Sequence, residues 1–140
     1  MQRIQYPLGI RFQCQRCAFC CKDTEERARH ILLTKLDVER IKQNTKLQTV
    51  NFAYRITGQT PFIFEMKKIN GKCIFLEENA CKIYSDRPLI CRCFPFWIEK
   101  TKKTFIFKVY LNCPGVGKGR LLSKAFFSKL LTASSDAYKP

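Results

Sequence analysis

The 140-residue chain contains one histidine, eleven acidic residues and no long apolar run. Each shortage excludes something. With His30 as the sole imidazole, no Ser/His/Asp or Cys/His arrangement supports hydrolysis. No window approaches the roughly 20 apolar residues of a membrane-spanning helix. Residues 1–12 are interrupted by Arg3, Pro7 and Arg11 and lack the apolar stretch of a secretory signal. There is no low-complexity linker, no internal repeat and no strand–GxGxxG–helix fingerprint. The chain is therefore expected to be a single domain over residues 1–140, cytoplasmic, with no membrane span. Its 46% of hydrophobic residues suffice for a core without staples. Few acids against 26 Lys and Arg leave a formal charge of +15, which suits an acidic partner.

Cysteine is what the chain has in excess: nine residues, in the order Cys14-x-x-Cys17-x-x-Cys20-Cys21, then Cys73, Cys81, Cys91, Cys93 and Cys113. Four thiols within eight residues can chelate a metal and suit disulfide pairing poorly. The odd total and a reducing compartment point the same way. Zinc takes four tetrahedral ligands from Cys-x-x-Cys knuckles. Iron–sulfur clusters use a Cys-x2-Cys-x2-Cys run completed by a remote Cys-Pro, matched here by Cys14, Cys17, Cys20 and Cys113-Pro114. That match favours a 4Fe-4S cluster over zinc. Two metal centres on eight thiolates would lower the charge to about +11. Cys20 and Cys21 are adjacent and hard to place on one ion, so one of them is expected at a second site with Cys73, Cys81 and Cys91. Cys91 and Cys93 would share a face of an extended segment and chelate together; the alternative is that Cys93 is a small core residue.

The surrounding pattern predicts a small α+β domain. Residues 11–21 form a cysteine knuckle, and Ile31-Leu32-Leu33 is a short strand. Thr34 and Asp37 make a capping box for a helix running to about Asn44. Residues 45–60 are helix or loop. Residues 62–66 form a strand, Asn70-Gly71 a turn, and 72–76 its returning partner. Asn79 marks a second turn before 81–84. Residues 96–98 and 105–110 form a hairpin, and Leu122, Ala125, Phe126, Lys129 and Leu130 lie on one face of an amphipathic C-terminal helix over about 120–132.

The ordered blocks Phe12-x-Cys14-x-x-Cys17-x-x-Cys20-Cys21, Cys73-x-Phe75-Leu76, Cys81-x-Ile83-Tyr84-x-x-Arg87-Pro88-x-x-Cys91-Arg92-x-Phe94-Pro95 and Cys113-x-Gly115 carry a resemblance. Together with Leu33-Thr34-x-x-Asp37-x-x-Arg40-Ile41, they resemble the CxxCxxCC cysteine-cluster proteins, described as zinc- or iron-chelating domains. The likeness covers about residues 12–117. It implies eight metal ligands: Cys14, Cys17, Cys20, Cys21, Cys73, Cys81, Cys91 and Cys113. The family commonly has glycine where this chain has Ala18, and Cys93 lies outside its pattern. A related cysteine pattern in flagellin lysine methylases, which are thought to carry an iron–sulfur cluster, implies a protein-lysine methyltransferase as an alternative activity. No Cys-x3-Cys-x2-Cys run accompanies it.

Arg87 and Arg92 flank Cys91 and are expected to tune the site. Pro88 and Pro95 set the turns that deliver it, and Tyr84, Phe94 and Trp97 are expected in the core. Residues 115–120 lack P-loop spacing and read as a plain loop, His30 as a surface or strand residue, and Asp37 and Glu39 as helix-start charges. The expected function is a metal-binding protein, redox-active or accessory to a partner enzyme. A basic zinc module that binds RNA or DNA is a further alternative, supported only by charge.

Overall fold

The computed structural model describes residues 3–59 and 61–134. In chain order the elements are β1 (Arg3–Gln5), β2 (Arg11–Phe12), β3 (Leu32–Thr34), α1 (Lys35–Thr45), α2 (Thr49–Phe52), β4 (Ala53–Gln59), β5 (Phe62–Met66), β6 (Lys68–Ile69) and β7 (Lys72–Cys73). There follow β8 (Leu76–Glu77), β9 (Ala80–Cys81), a 3-10 turn (Tyr84–Asp86), α3 (Leu89–Cys93), β10 (Phe96–Lys100), β11 (Thr104–Val109), β12 (Val116–Leu121) and α4 (Lys124–Ser134). The mixed α+β character and the C-terminal helix are as the sequence predicts. The residues gather into two compact units, Ala18–Arg92 and the combination of Met1–Cys17 with Cys93–Pro140. Among the described residues no helix is long and apolar enough to cross a membrane.

In the 18–92 unit, β5 is the centre of the antiparallel sheet β3-β5-β4. Its predicted partner, residues 72–76, pairs elsewhere. Asn70 and Gly71 both have positive φ, 52° and 74°, and so close a two-residue turn onto their immediate neighbours, β6 and β7. Both edges of β5 are filled instead by β3 and by β4, which formed within the ambiguous 45–60 stretch. A second short hairpin, β8–β9, turns through Glu78 and Asn79, both with positive φ.

Helix α1 begins where the sequence places it. Thr34 is extended, its hydroxyl accepts the Asp37 N–H at 3.1 Å, and the Asp37 carboxylate accepts the Thr34 N–H at 2.9 Å. Two donors that the first turn would strand are thereby satisfied. Val38 and Ile41, three residues apart, turn inward and pack with Ile31, Leu33, Phe52, Met66 and Phe75. Asp37 does more than cap. Its other oxygen accepts the Leu89 N–H at 3.1 Å, tying the start of α3 to the start of α1. Burial pushes its carboxyl pKa up, while the backbone N–H bonds from Thr34 and Leu89 pull it down. Asp37→Ala leaves both N–H groups unpaired, and is expected to cost about 2–4 kcal/mol in urea unfolding.

In the other unit, β11 lies between antiparallel β10 and parallel β1. The β10–β11 hairpin is the predicted one. Its core is Phe96, Phe107 and Phe127, lined by Ile4, Tyr6, Phe126 and Leu130 among others. Residues 116–121, expected as loop and helix start, form β12 and pair antiparallel with β2 across a bulge. Gly117 and Gly119 at φ 93° and 80° break the alternation that would announce a strand, so α4 starts only at Lys124. The expected apolar face of α4 omitted Phe127, which is fully buried. Tyr84 and Trp97, expected in the core, are 61% and 42% exposed, and the Arg87 guanidinium lies 3.8 Å over the Tyr84 ring.

Candidate metal centre

All nine cysteines are free thiols, and the two units divide them. The 18–92 unit holds Cys20, Cys21, Cys73, Cys81 and Cys91. Chain pairing brings them together. The Cys73 N–H donates to Cys21 O at 2.7 Å and the Asp23 N–H to Gly71 O at 2.7 Å, so the end of the knuckle lies along the β6–β7 hairpin. Cys81 opposes Leu76 across β8–β9, and the Lys82 N–H returns to Phe75 O at 2.8 Å. Cys91 sits on α3, whose first N–H is held by Asp37. Cys21, Cys73 and Cys91 are buried within the apolar cluster of this unit. The adjacent thiols of Cys20 and Cys21 stand side by side, Sγ to Sγ 3.7 Å.

Cys14, Cys17 and Cys113 belong to the other unit. Antiparallel pairing of β2 with β12 brings Cys14, two residues past β2, towards Cys113, which precedes β12; the Gln13 N–H donates to Gly115 O at 3.0 Å. A Cβ on Gly115 would collide with the Gln13 carbonyl, which is why this position takes glycine. Cys113 feels the charge of Cys17 and Cys14.

The sulfurs are met by donors. The N–H two residues on points at the sulfur of Cys14 (from Arg16, 3.4 Å), Cys73 (from Phe75, 3.5 Å), Cys81 (from Ile83) and Cys113 (from Gly115). A hydrogen bond from Cys21 holds the Cys20 thiol down to about 6 and that of Cys81 down to about 7. Cys21, which has a single proton to share with these neighbours, is pushed up by the same contacts and by burial. Burial raises Cys73 to about 11 and raises Cys91 as well.

These shifts set a pH profile for the metal-free, reduced protein. An unfolded thiol ionises near about 8.5. Between pH ~6 and ~8.5 the folded chain has already released protons from Cys20 and Cys81 that the unfolded chain keeps, so stability rises with pH. Above ~8.5 the unfolded chain ionises thiols that burial keeps protonated at Cys73 and Cys91, so stability falls. A melting temperature that peaks near pH 8–9 is the expected result of thermal scans across pH.

The model of the CxxCxxCC family, described as a "putative zinc- or iron-chelating domain", matches residues 13–114. The chain belongs to this family. It is similar to the uncharacterized protein MJ0661 of Methanocaldococcus jannaschii, with 32% identity over 130 residues covering 86% of this chain and 68% of that protein. It is also similar to MJ0939 of the same organism, with 28% identity over 123 residues covering 83% of this chain and 41% of that longer protein. No solved structure matches.

Among the described residues of this CxxCxxCC chain, no three His, Cys, Asp or Glu side chains are already closed around a metal-sized point. The donor chemistry nevertheless fits zinc or iron. A tetrahedron with metal–sulfur bonds of about 2.3 Å has an edge of about 3.8 Å, close to the Cys20–Cys21 separation. Ala18 takes the position where the family commonly has glycine, and it has φ 65°. The left-handed backbone explains the glycine. Ala18→Gly relieves about 1 kcal/mol of strain but forfeits a buried methyl and loosens the unfolded chain by similar amounts, so a change within about 1 kcal/mol is expected in denaturant unfolding.

Other sequence candidates sit elsewhere. His30 Nδ1 is 2.8 Å from Glu65 Oε2 with the ring 61% exposed. Residues 89–93 are helical rather than extended, so Cys91 and Cys93 point about 200° apart. Cys93 is buried with its sulfur 3.8 Å from the Ser134 hydroxyl. Arg87 does face Cys20 and Cys81, whereas Arg92 faces Asp37. Arg29, which no motif marked, donates to the Cys20 carbonyl, and its charge favours the thiolates of Cys20, Cys73 and Cys91.

Proposed function

We propose that this CxxCxxCC protein holds zinc or iron through cysteine thiolates. The donor set of the 18–92 unit is Cys20, Cys21, Cys73, Cys81 and Cys91, and that of the other unit is Cys14, Cys17 and Cys113. The observation that carries the reading is the row of N–H groups aimed at sulfur from two residues on, at Cys14, Cys73, Cys81 and Cys113. Such donors stabilise a thiolate, the form that binds metal, and fix its direction. Bound metal would act as a Lewis-acidic or redox centre and would bind the thiolates permanently in their ionised state.

A 4Fe-4S cluster is the second reading; what supports it is sequence spacing alone, a Cys-x2-Cys-x2-Cys run and a remote Cys-Pro. Under it the protein transfers electrons or serves a partner enzyme, and the +15 charge suits a partner with an acidic face. The lysine-methylase and nucleic-acid alternatives rest where the sequence left them, on a distant cysteine pattern and on charge.

Anaerobic purification followed by metal analysis and a visible spectrum tests the proposal. Colourless protein with about two zinc ions per chain supports closed thiolate sites. Brown protein with iron and acid-labile sulfide supports a cluster. Protein that co-purifies with neither metal, and binds neither when reduced, overturns it.

A further inference from the structure

Arg29 is a buried cation against the Cys20 backbone. It is only 9% exposed, in a chain where most of the basic residues are solvated. Burying a guanidinium is costly unless its charge and hydrogen bonds are used. Its Nε–H donates to the Cys20 carbonyl at 3.0 Å, and its backbone N–H donates to Asp23 Oδ1 at 2.6 Å. Asp23 is itself anchored: its carboxylate holds the Lys68 ammonium at 2.8 Å, and its N–H reaches Gly71 O on the hairpin that carries Cys73. The guanidinium is thus tied to the knuckle backbone, and the Arg29 main chain is tied through Asp23 to that hairpin. From there its charge acts on the thiols of Cys20, Cys73 and Cys91, which come from three separate segments. Arg87 supplies the second cation, facing Cys20 and Cys81.

The need for such cations follows from the donor set. Four thiolates around a divalent ion leave a net charge of about −2, beside an apolar cluster that solvates it poorly. A four-iron core of charge about +2 leaves the same excess, so the argument does not depend on which metal is bound.

We infer that Arg29 is a positioning residue of the 18–92 centre: it offsets the excess negative charge of the metal–thiolate unit and fixes the Cys20 backbone. The inference rests on the metal-binding reading above. No motif reports it, because Arg29 reaches the Cys20 backbone from a loop nine residues on rather than through cysteine spacing.

The test uses full-length, reduced, metal-free protein with zinc alone as the probe, titrated in competition with a chromophoric chelator. Arg29→Met is expected to bind zinc about 10–100-fold more weakly than the parent. Arg29→Lys, which keeps the charge, is expected within about threefold of the parent. Arg29→Gln, which can hydrogen-bond but is neutral, is expected to be as weak as the methionine variant. Equal affinity in all four proteins overturns the inference, and so does a lysine variant as weak as the glutamine one, since that leaves only a structural role. Should Arg29→Met lose its fold by circular dichroism, the Lys/Gln comparison decides alone. A parent protein that binds neither zinc nor iron removes the metal reading and this inference with it. A parent that binds, with variants that bind equally, removes only the role of Arg29.

Discussion

Replacing Cys91 with serine is expected to weaken metal binding by about a hundredfold or more. Thiolate sites bind zinc with about 10–16 kcal/mol shared among four ligands, or about 3 kcal/mol for each. Serine keeps the size but offers a hydroxyl that does not ionise near neutral pH and is a poor ligand for a soft site. The loss should not be repaired by movement. Cys91 lies on a helix whose first N–H is held by the buried Asp37, and its thiol is packed in the apolar cluster of the 18–92 unit. The control is Cys93→Ser, two residues on. That thiol points about 200° away, against the Ser134 hydroxyl, and its loss is expected to leave metal content unchanged. Chelator competition and metal analysis on the two variants make the comparison. If Cys93→Ser lost metal as Cys91→Ser does, the proposed ligand set would be wrong.

Phe127→Ala is expected to destabilise the protein by about 3–5 kcal/mol in chemical denaturation. Phe127 is fully buried, and its ring meets those of Tyr6 at 4.9 Å, Phe96 at 5.1 Å and Phe107 at 5.1 Å. Truncation opens a cavity lined by aromatic rings, which are too rigid to collapse into it. Phe126→Ala provides the comparison. Phe126 is only partly buried at the edge of the same cluster, and its truncation should cost markedly less. Equal losses at the two positions would show that α4 packs through a different face.

Much of the local structure was readable because it depends on neighbours in sequence. The Thr34–Asp37 capping box, the Asn70-Gly71 turn and the 96–110 hairpin each rest on residues a few positions apart, and each formed as predicted. What escaped prediction depended on distant partners. Strand β12 carries exposed residues and two positive-φ glycines, so it has no pattern of its own and exists because β2 pairs with it. Residues 72–76 do not return onto 62–66 as expected, because a turn signal locates a reversal but does not say which strands already occupy a sheet edge. Phe127 was missed because α4 packs a wider arc than one helical stripe.

The same division applies to the cysteines. Sequence by itself determined the family, because spacing along a chain is a one-dimensional property. The tertiary structure decided how the thiols gather. Cys20 and Cys21 lie together with Cys73, Cys81 and Cys91, while Cys14 and Cys17 lie with Cys113. It also gave Asp37 its second bond to α3 and buried Arg29 against the Cys20 carbonyl. The physical reason is range. A knuckle is closed by a turn of a few residues, but the charge and hydrogen bonds that make its thiolates tolerable in an apolar setting come from whichever segments the fold packs against them.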